Sequence, residues 1–87
     1  MGFSNNKGIK MKIRIVYCVQ WNYLPKAQVV ASEIRQNWLL ESQVDLEEGS
    51  VGVFDVQLGE KIIFSKNIEQ RFPNEGEIVD RIKAELI

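Results

Sequence analysis

The single cysteine of this 87-residue chain, Cys18, is the side chain best placed to do chemistry. Residues 12–17 alternate between polar and apolar, which predicts a strand ending just before Cys18, and a helical period begins a few residues later. A sulfur at such a junction lies near backbone N–H groups and the positive end of the helix dipole, which stabilise a reactive thiolate. This chemistry requires the sulfur to be presented outward. The alternative is a small buried side chain that closes the strand, because free cysteine is among the most buried residue types.

The loop after Cys18 carries two large aromatic residues, Trp21 and Tyr23, beside the polar Gln20 and Asn22. Aromatic side chains in a short loop at a strand end are typical anchors for contact with a protein or a small ligand. The alternative is that Trp21 folds over the start of the helix and fills the core. The loop residues are therefore candidate binding residues. An apolar patch on the otherwise polar sheet face is expected to extend this surface, and its predicted members are Val16, Val53 and Ile63.

Composition excludes most other catalytic chemistry. With no histidine and one cysteine, the chain cannot form a zinc tetrad, a Ser-His-Asp relay or an internal disulfide, so we expect no metal and no resident cofactor. Eleven Lys and Arg against twelve Asp and Glu leave a net charge of -1, which argues against a nucleic-acid partner. No apolar segment approaches the roughly 18 residues that span a bilayer. We expect no membrane partner and a cytoplasmic location, where the thiol stays reduced.

The periodicity predicts one α/β domain over residues 11–87, preceded by a flexible leader at residues 1–10. Strands are predicted at residues 12–17, 43–48, 53–58 and 61–65. A helix with an apolar stripe from Ala27 to Trp38 follows the first strand, and a second with a stripe from Ile78 to Leu86 follows a polar connection at residues 66–73. Asn22 is expected to cap the first helix, and Asn74 with Glu77 has the spacing of a capping box for the second.

The connections predict the order β-α-β-β-β-α and a mixed sheet. A strand-helix-strand unit of this length joins parallel strands, whereas the two-residue Gly59-Glu60 turn joins an antiparallel pair. Outward positions are mostly polar, so both helices are expected on one face, with the other face open to solvent. Lys12 and Arg14 make the first strand basic while its neighbours are acidic, which favours a central position for it.

Three segments resemble the selenoprotein W-like, or Rdx, group of thioredoxin-like proteins. The segment Tyr17-Cys18-Val19-Gln20-Trp21-Asn22-Tyr23-Leu24 resembles that group's Tyr-Cys-x-x-Cys (or selenocysteine) motif. Residues 52–56 and 58–66, followed by Arg71-Phe72-Pro73, resemble its second half in order and spacing. The resemblance covers residues 12–87. It implies a thioredoxin-like two-layer sandwich that lacks the middle helix, and thiol or selenol oxidoreductase activity.

The sequence departs from this motif at Trp21, which occupies the place of the family's second cysteine or selenocysteine, while Cys18 falls on the first. One sulfur cannot both attack a disulfide and resolve the mixed disulfide, so ordinary dithiol exchange is excluded. In one hypothesis, the chain is a monothiol redox protein whose Cys18 forms a mixed disulfide with glutathione or a protein partner. In the other, it is a catalytically inactive thioredoxin-like binding module that uses Trp21, Tyr23 and the exposed sheet face. Neither hypothesis specifies an oligomeric state.

Overall fold

The computed structural model describes residues 10–37 and 41–86 as four strands and three helices. The predicted order is present, with one short helix added where a polar connection was expected. The predicted leader lies outside the described residues except for Lys10, which begins the first strand, and Trp38 also lies outside them. The elements are β1 Lys10–Tyr17, α1 Leu24–Arg35, β2 Glu41–Glu48, β3 Phe54–Leu58, β4 Lys61–Ser65, α2 Lys66–Glu69 and α3 Glu77–Glu85.

The four strands form one mixed sheet in the order β2-β1-β3-β4. β1 runs parallel to β2 and antiparallel to β3, and β3 pairs antiparallel with β4 through the predicted hairpin. Arg14 links three of these strands across the open face of the sheet. Its Nε and Nη2 atoms donate to the carboxylate of Glu47 on β2 at 3.0 and 2.8 Å, and Nη1 donates to Oε1 of Gln57 on β3 at 2.8 Å. The hydrogen bonds from Arg14 hold the pKa of Glu47 below its usual range, so the predicted charge pairing of β1 with β2 is confirmed.

One hydrophobic core lies between the sheet and the two longer helices. Ile13, Ile15 and Tyr17 of β1 point into this core, and the intervening Arg14 and Val16 do not. α1 and α3 contact each other and share the same core with the sheet. The helix residues buried there are Ala27, Val30, Ala31, Ile34, Ile78, Val79 and Ile82.

An ion-pair cluster organises the segment that was expected to be a plain polar connection. Arg81 on α3 binds Glu69 at 2.9 Å and Glu77 at 2.7 Å. Arg71 binds the same Glu77 carboxylate at 2.7 and 2.8 Å. The guanidinium carbons of Arg71 and Arg81 lie 5.5 and 5.0 Å from the centroid of the Phe64 ring. Arginine suits such a site because its planar group pairs with carboxylates and stacks on aromatic rings at the same time.

Half of the predicted capping box is present at the start of α3. Oε1 of Glu77 accepts the backbone N–H of Asn74 at 2.8 Å. The helix itself begins at Glu77, with Gly76 at the cap position and no side-chain cap. Hydrogen bonds from Arg71, followed by the bond from Asn74, lower the pKa of Glu77 from 4.5 to about 2.

Replacing Glu77 with Gln is expected to destabilise the fold at neutral pH. The difference in stability between the two proteins is expected to disappear in acid. Because the folded carboxylate has a pKa of about 2 against 4.5 ordinarily, its contribution is complete above pH 4.5 and disappears as the pH falls toward 2. With allowance for solvent screening, the free energy of unfolding at neutral pH should fall by about 1 kcal/mol. Urea unfolding over a pH series measures this, with Glu60→Gln in the exposed hairpin turn as the control. An effect that is constant across the series contradicts the expectation.

Candidate functional site

The residues between β1 and α1 form a tight double turn. The N–H of Asn22 donates to the carbonyl of Val19 at 2.9 Å, and the N–H of Tyr23 donates to the carbonyl of Cys18 at 3.0 Å. The backbone of Asn22 is in the left-handed region, with a φ of 59°, and asparagine adopts this conformation more readily than most residues. The predicted cap is wrong, because Asn22 completes the turn and the cap position belongs to Tyr23, which makes no side-chain cap bond.

The sulfur of Cys18 lies inside the domain. The residue has no exposed surface, and Sγ accepts the backbone N–H of Trp21 at 3.3 Å. The outward sulfur that the redox chemistry requires is therefore absent, and the alternative of a buried side chain at the strand end describes its position. The alternation of β1 stops at Tyr17, so Cys18 turns inward directly after another buried residue. Burial separates the sulfur from solvent.

Trp21 takes the exposed position in the same loop. Its side chain is 56% exposed, with Gln20 and Asn22 exposed on either side of it, so the alternative in which Trp21 fills the core is wrong. The indole rests on Gly52, where an added Cβ would lie 3.0 Å from Cζ3 and 3.3 Å from Cη2. Gly52 also has a φ of +80°, which favours glycine. The loop around Gly52 therefore supplies a flat surface for the indole.

Three aromatic rings connect this exposed indole to the core, and we call the four rings together the aromatic row: Trp21, Tyr23, Phe72 and Phe54. Successive ring centroids are 6.0, 4.8 and 5.3 Å apart, and each contact is edge-to-face. Phe54 is fully buried, while Tyr23 and Phe72 are half-buried. Edge-to-face pairs contribute about 0.5–1.5 kcal/mol each beyond burial of area. The row therefore anchors the exposed ring to the interior.

Three further residues belong to this site and were not among the sequence candidates: Phe72, Lys26 and Lys66. Nζ of Lys26 lies 5.1 Å from the centroid of the Phe72 ring. Nζ of Lys66 lies 5.4 Å from the same centroid and 5.6 Å from that of Tyr23. Lys26 lies far from Lys66 and Phe72 in the sequence, so no local pattern groups the three residues. Two signals were available: the segment of residues 58–66, which ends at Lys66, and Arg71-Phe72-Pro73, which contains the ring.

The predicted apolar patch on the open sheet face does not form. Val53 and Ile63 are buried, and only Val16 of the three predicted members is partly exposed. The ion pair of Arg14 with Glu47 occupies the open face instead. The candidate surface is therefore confined to the loops at the carboxyl end of β1.

Comparisons with known proteins place this arrangement in a family. The family model described as Rdx matches residues 12–84. The chain belongs to the Rdx family. Its membership in the Rdx family indicates a thiol-redox-related role. No curated protein matches the chain.

Two solved structures are similar to this Rdx chain. A selenoprotein W-related protein from Vibrio cholerae is 22% identical, with a TM-score of 0.80 over 91% of this chain and 100% of that one. A protein from Bordetella parapertussis is 25% identical, with a TM-score of 0.77 over 86% of this chain and 96% of that one. The similarity extends over nearly the whole of both proteins, which confirms the predicted thioredoxin-like fold.

Within residues 10–37 and 41–86 of this Rdx chain, no helix is long and apolar enough to cross a membrane. The same ranges hold no group of three or more Cys, Asp or Glu side chains placed to bind a metal ion.

Gly52→Ala is expected to destabilise the fold more than Gly59→Ala. Both glycines are left-handed, with φ values of +80° and +61°, so each substitution introduces backbone strain of about 1–2 kcal/mol. Only at Gly52 does the added Cβ also press on the indole of Trp21, and we expect a further loss of about 1 kcal/mol there. Urea unfolding of both variants measures the difference. In a Trp21→Ala background the extra loss should vanish; if it persists, the indole is not the reason that position 52 requires glycine.

Proposed function

We propose that this Rdx chain is a binding module that contacts a partner protein through Trp21, with Gln20, Asn22 and Tyr23 around it. One observation carries the proposal. Within a single loop, the sulfur at position 18 has no exposed surface, whereas the side chain at position 21 is 56% exposed. The loop therefore offers an indole to a partner and keeps its thiol inside.

The two positions have different roles in dithiol exchange. The attacking sulfur must be reachable by a foreign disulfide, whereas the resolving sulfur acts from within the loop on a disulfide already formed. In this chain the reachable position is occupied by Trp21 and the inner position by Cys18. Trp21 carries no sulfur, so the reachable position cannot begin the reaction, which supports a non-catalytic role.

Trp21 is suited to binding because it is held in place before a partner arrives. Its indole rests on Gly52 and meets the Tyr23 ring edge-to-face. Val19 in the same loop and Val51 beside Gly52 are also more than half exposed, so apolar surface from two loops adjoins the indole. A rigid aromatic anchor loses little conformational entropy on binding, and truncation of such an anchor typically costs about 2 kcal/mol or more of binding free energy.

Monothiol redox chemistry at Cys18 is the second candidate. The bond from the Trp21 N–H to Sγ favours it, together with membership of the Rdx family. In this reaction the Cys18 thiolate attacks the glutathione sulfur of a mixed disulfide between glutathione and a partner protein, takes the glutathione as a new mixed disulfide and releases the partner's thiolate. A second glutathione thiolate then attacks the mixed disulfide, which regenerates Cys18 and glutathione disulfide. Because the sulfur is buried, the loop of residues 18–23 must open before the first attack.

Trp21→Ala is expected to abolish capture of the partner protein while leaving the fold intact. The full chain, immobilised through a terminal tag, is compared in a cell lysate with Trp21→Ala and with Ile68→Ala, which removes an exposed apolar side chain from α2. The specifically captured protein should fall about tenfold or more for Trp21→Ala, equivalent to about 1.4 kcal/mol, and remain unchanged for Ile68→Ala. Equal capture by all three proteins, or loss of capture only where thermal unfolding shows loss of the fold, would count against the proposal.

The reactivity of Cys18 separates the two candidates. If the sulfur reacts only after the loop opens at a cost of about 3 kcal/mol, iodoacetamide should modify it about 100-fold more slowly in the folded chain than in urea. A monothiol redox site requires the opposite: faster modification than in the unfolded chain, and a mixed disulfide formed with glutathione disulfide at neutral pH. Mass spectrometry reports Cys18 alone, because the chain has no other thiol. N-acetylcysteine with and without urea is the control for the reagent.

A further inference from the structure

Two lysines bring positive charge to the aromatic row. The Nζ atoms of Lys26 and Lys66 lie 5.1 and 5.4 Å from the centroid of Phe72. Each ammonium group carries three donors, and a ring face does not satisfy all of them. Within the part of the chain that the structure describes, neither ammonium forms an ion pair. The basic residues that do form ion pairs there are Arg14, Lys61, Arg71 and Arg81.

A groove begins beside the same ring, with a volume of about 290 Å³. Apolar surface is provided by Val29 and Pro73, next to Phe72 and Lys26. Glu33 also lines the groove, seven residues after Lys26 on α1, which corresponds to about 10 Å along a helix. The groove is therefore positive near the aromatic row and negative farther along α1.

We propose that the aromatic row and this groove together bind an acidic peptide segment of the partner protein. Its carboxylates contact Lys26 and Lys66, and an apolar side chain enters the groove against Val29 and Pro73. The inference rests on the proposed function, because it specifies the chemistry of the partner that Trp21 contacts.

Charge complementarity selects an acidic occupant. The two ammonium groups beside the row lack carboxylate partners among the described residues, whereas the carboxylate of Glu33 already accepts the backbone N–H of Gly76 at 3.2 Å. The carboxylate of Glu75, which also lines the groove, repels a second acidic residue from that end. We therefore place the acidic residues of the peptide over Phe72 and not along the whole groove.

The extent of the surface favours a peptide over a small anion. It runs from Trp21 across Tyr23 and Phe72, through centroid steps of 6.0 and 4.8 Å, and continues into the groove along α1. About five extended residues span roughly 17 Å, which matches this length. A ligand with a single carboxylate would contact only part of it.

Titration of the ¹⁵N-labelled full chain with the peptide acetyl-Asp-Glu-Asp-Phe-Ser-amide, whose acidic residues lie on one side of its apolar residue, tests the inference by NMR. As the peptide concentration rises, the amide signals should shift for four residues: Trp21, Lys26, Lys66 and Phe72. The affinity for the peptide should fall as the sodium chloride concentration is raised. Acetyl-Asn-Gln-Asn-Phe-Ser-amide, which keeps the shape without the charges, should bind at least about fivefold more weakly, about 1 kcal/mol by the affinity relation.

Paired charge variants locate the contact. Lys26→Gln with Lys66→Gln should weaken binding of the acidic peptide about fivefold or more. Lys12→Gln with Lys61→Gln removes two charges from the sheet and should leave the affinity unchanged. Equal loss in both double variants would overturn the inference, as would equal binding of the neutral peptide or affinity without salt dependence. If Lys26→Gln with Lys66→Gln does not fold, the salt dependence of the affinity and the comparison with the neutral peptide still test the inference.

Three further outcomes separate the failure of this inference from the failure of the proposed function. Reduced glutathione producing the same shifts with equal affinity would replace the peptide by a small anionic ligand and overturn the inference. Partner capture that is lost in Trp21→Ala but unchanged when both lysines are neutralised would also overturn it, and would leave the binding module standing. Capture unaffected by either change would remove the proposed function itself.

Discussion

Hydrogen bonds at the end of β1 hold the candidate site together. The carbonyl of Tyr17 accepts the N–H of Gly49 at 2.8 Å, and the carbonyl of Cys18 accepts the N–H of Tyr23 at 3.0 Å. The sulfur of Cys18 accepts the N–H of Trp21. Because buried backbone groups require partners, these bonds tie two loops to a single strand end. The positions of the buried sulfur, the exposed indole and the glycine loop beneath it all result from that arrangement.

The same arrangement assigns packing into the core and presentation to solvent to two different residues of the loop. Within one short turn, the first side chain is directed into the core and the fourth into solvent, because the N–H of the fourth residue bonds to the sulfur of the first. Residue 18 contributes to the packing of the domain, and residue 21 determines what the domain presents. Tryptophan at position 21 needs only a flat support, which Gly52 provides. The exposed chemistry of the loop can therefore change while the fold remains the same.

Local patterns were sufficient to predict the sheet, but not the site. Alternation at residues 12–17 and the charge of Arg14 predicted a central β1, because both effects act between neighbours on regular strands. The cap at Asn22 was wrong because the carbonyls of Cys18 and Val19 determine the backbone of that turn. The inward sulfur was one of two alternatives, since alternation ends at the last strand residue and tertiary packing decides the direction of the next side chain. Phe72 was missed as a site residue because its contacts with Tyr23 and Lys26 come from a distant segment.

Arg71 connects the ion-pair cluster of α3 to the aromatic row. Its guanidinium binds the carboxylates of Glu69 and Glu77, and Nη1 also donates to the backbone carbonyl of Phe72 at 3.1 Å. Hydrogen bonds from a charged group are stronger than neutral ones, so the backbone at residue 72 is held although its ring is only half-buried. The ring can then remain against Tyr23 without the complete burial that usually orders a phenylalanine. The surface around Trp21 therefore has two independent supports, the backbone bonds at the end of β1 and the ion pairs at the start of α3.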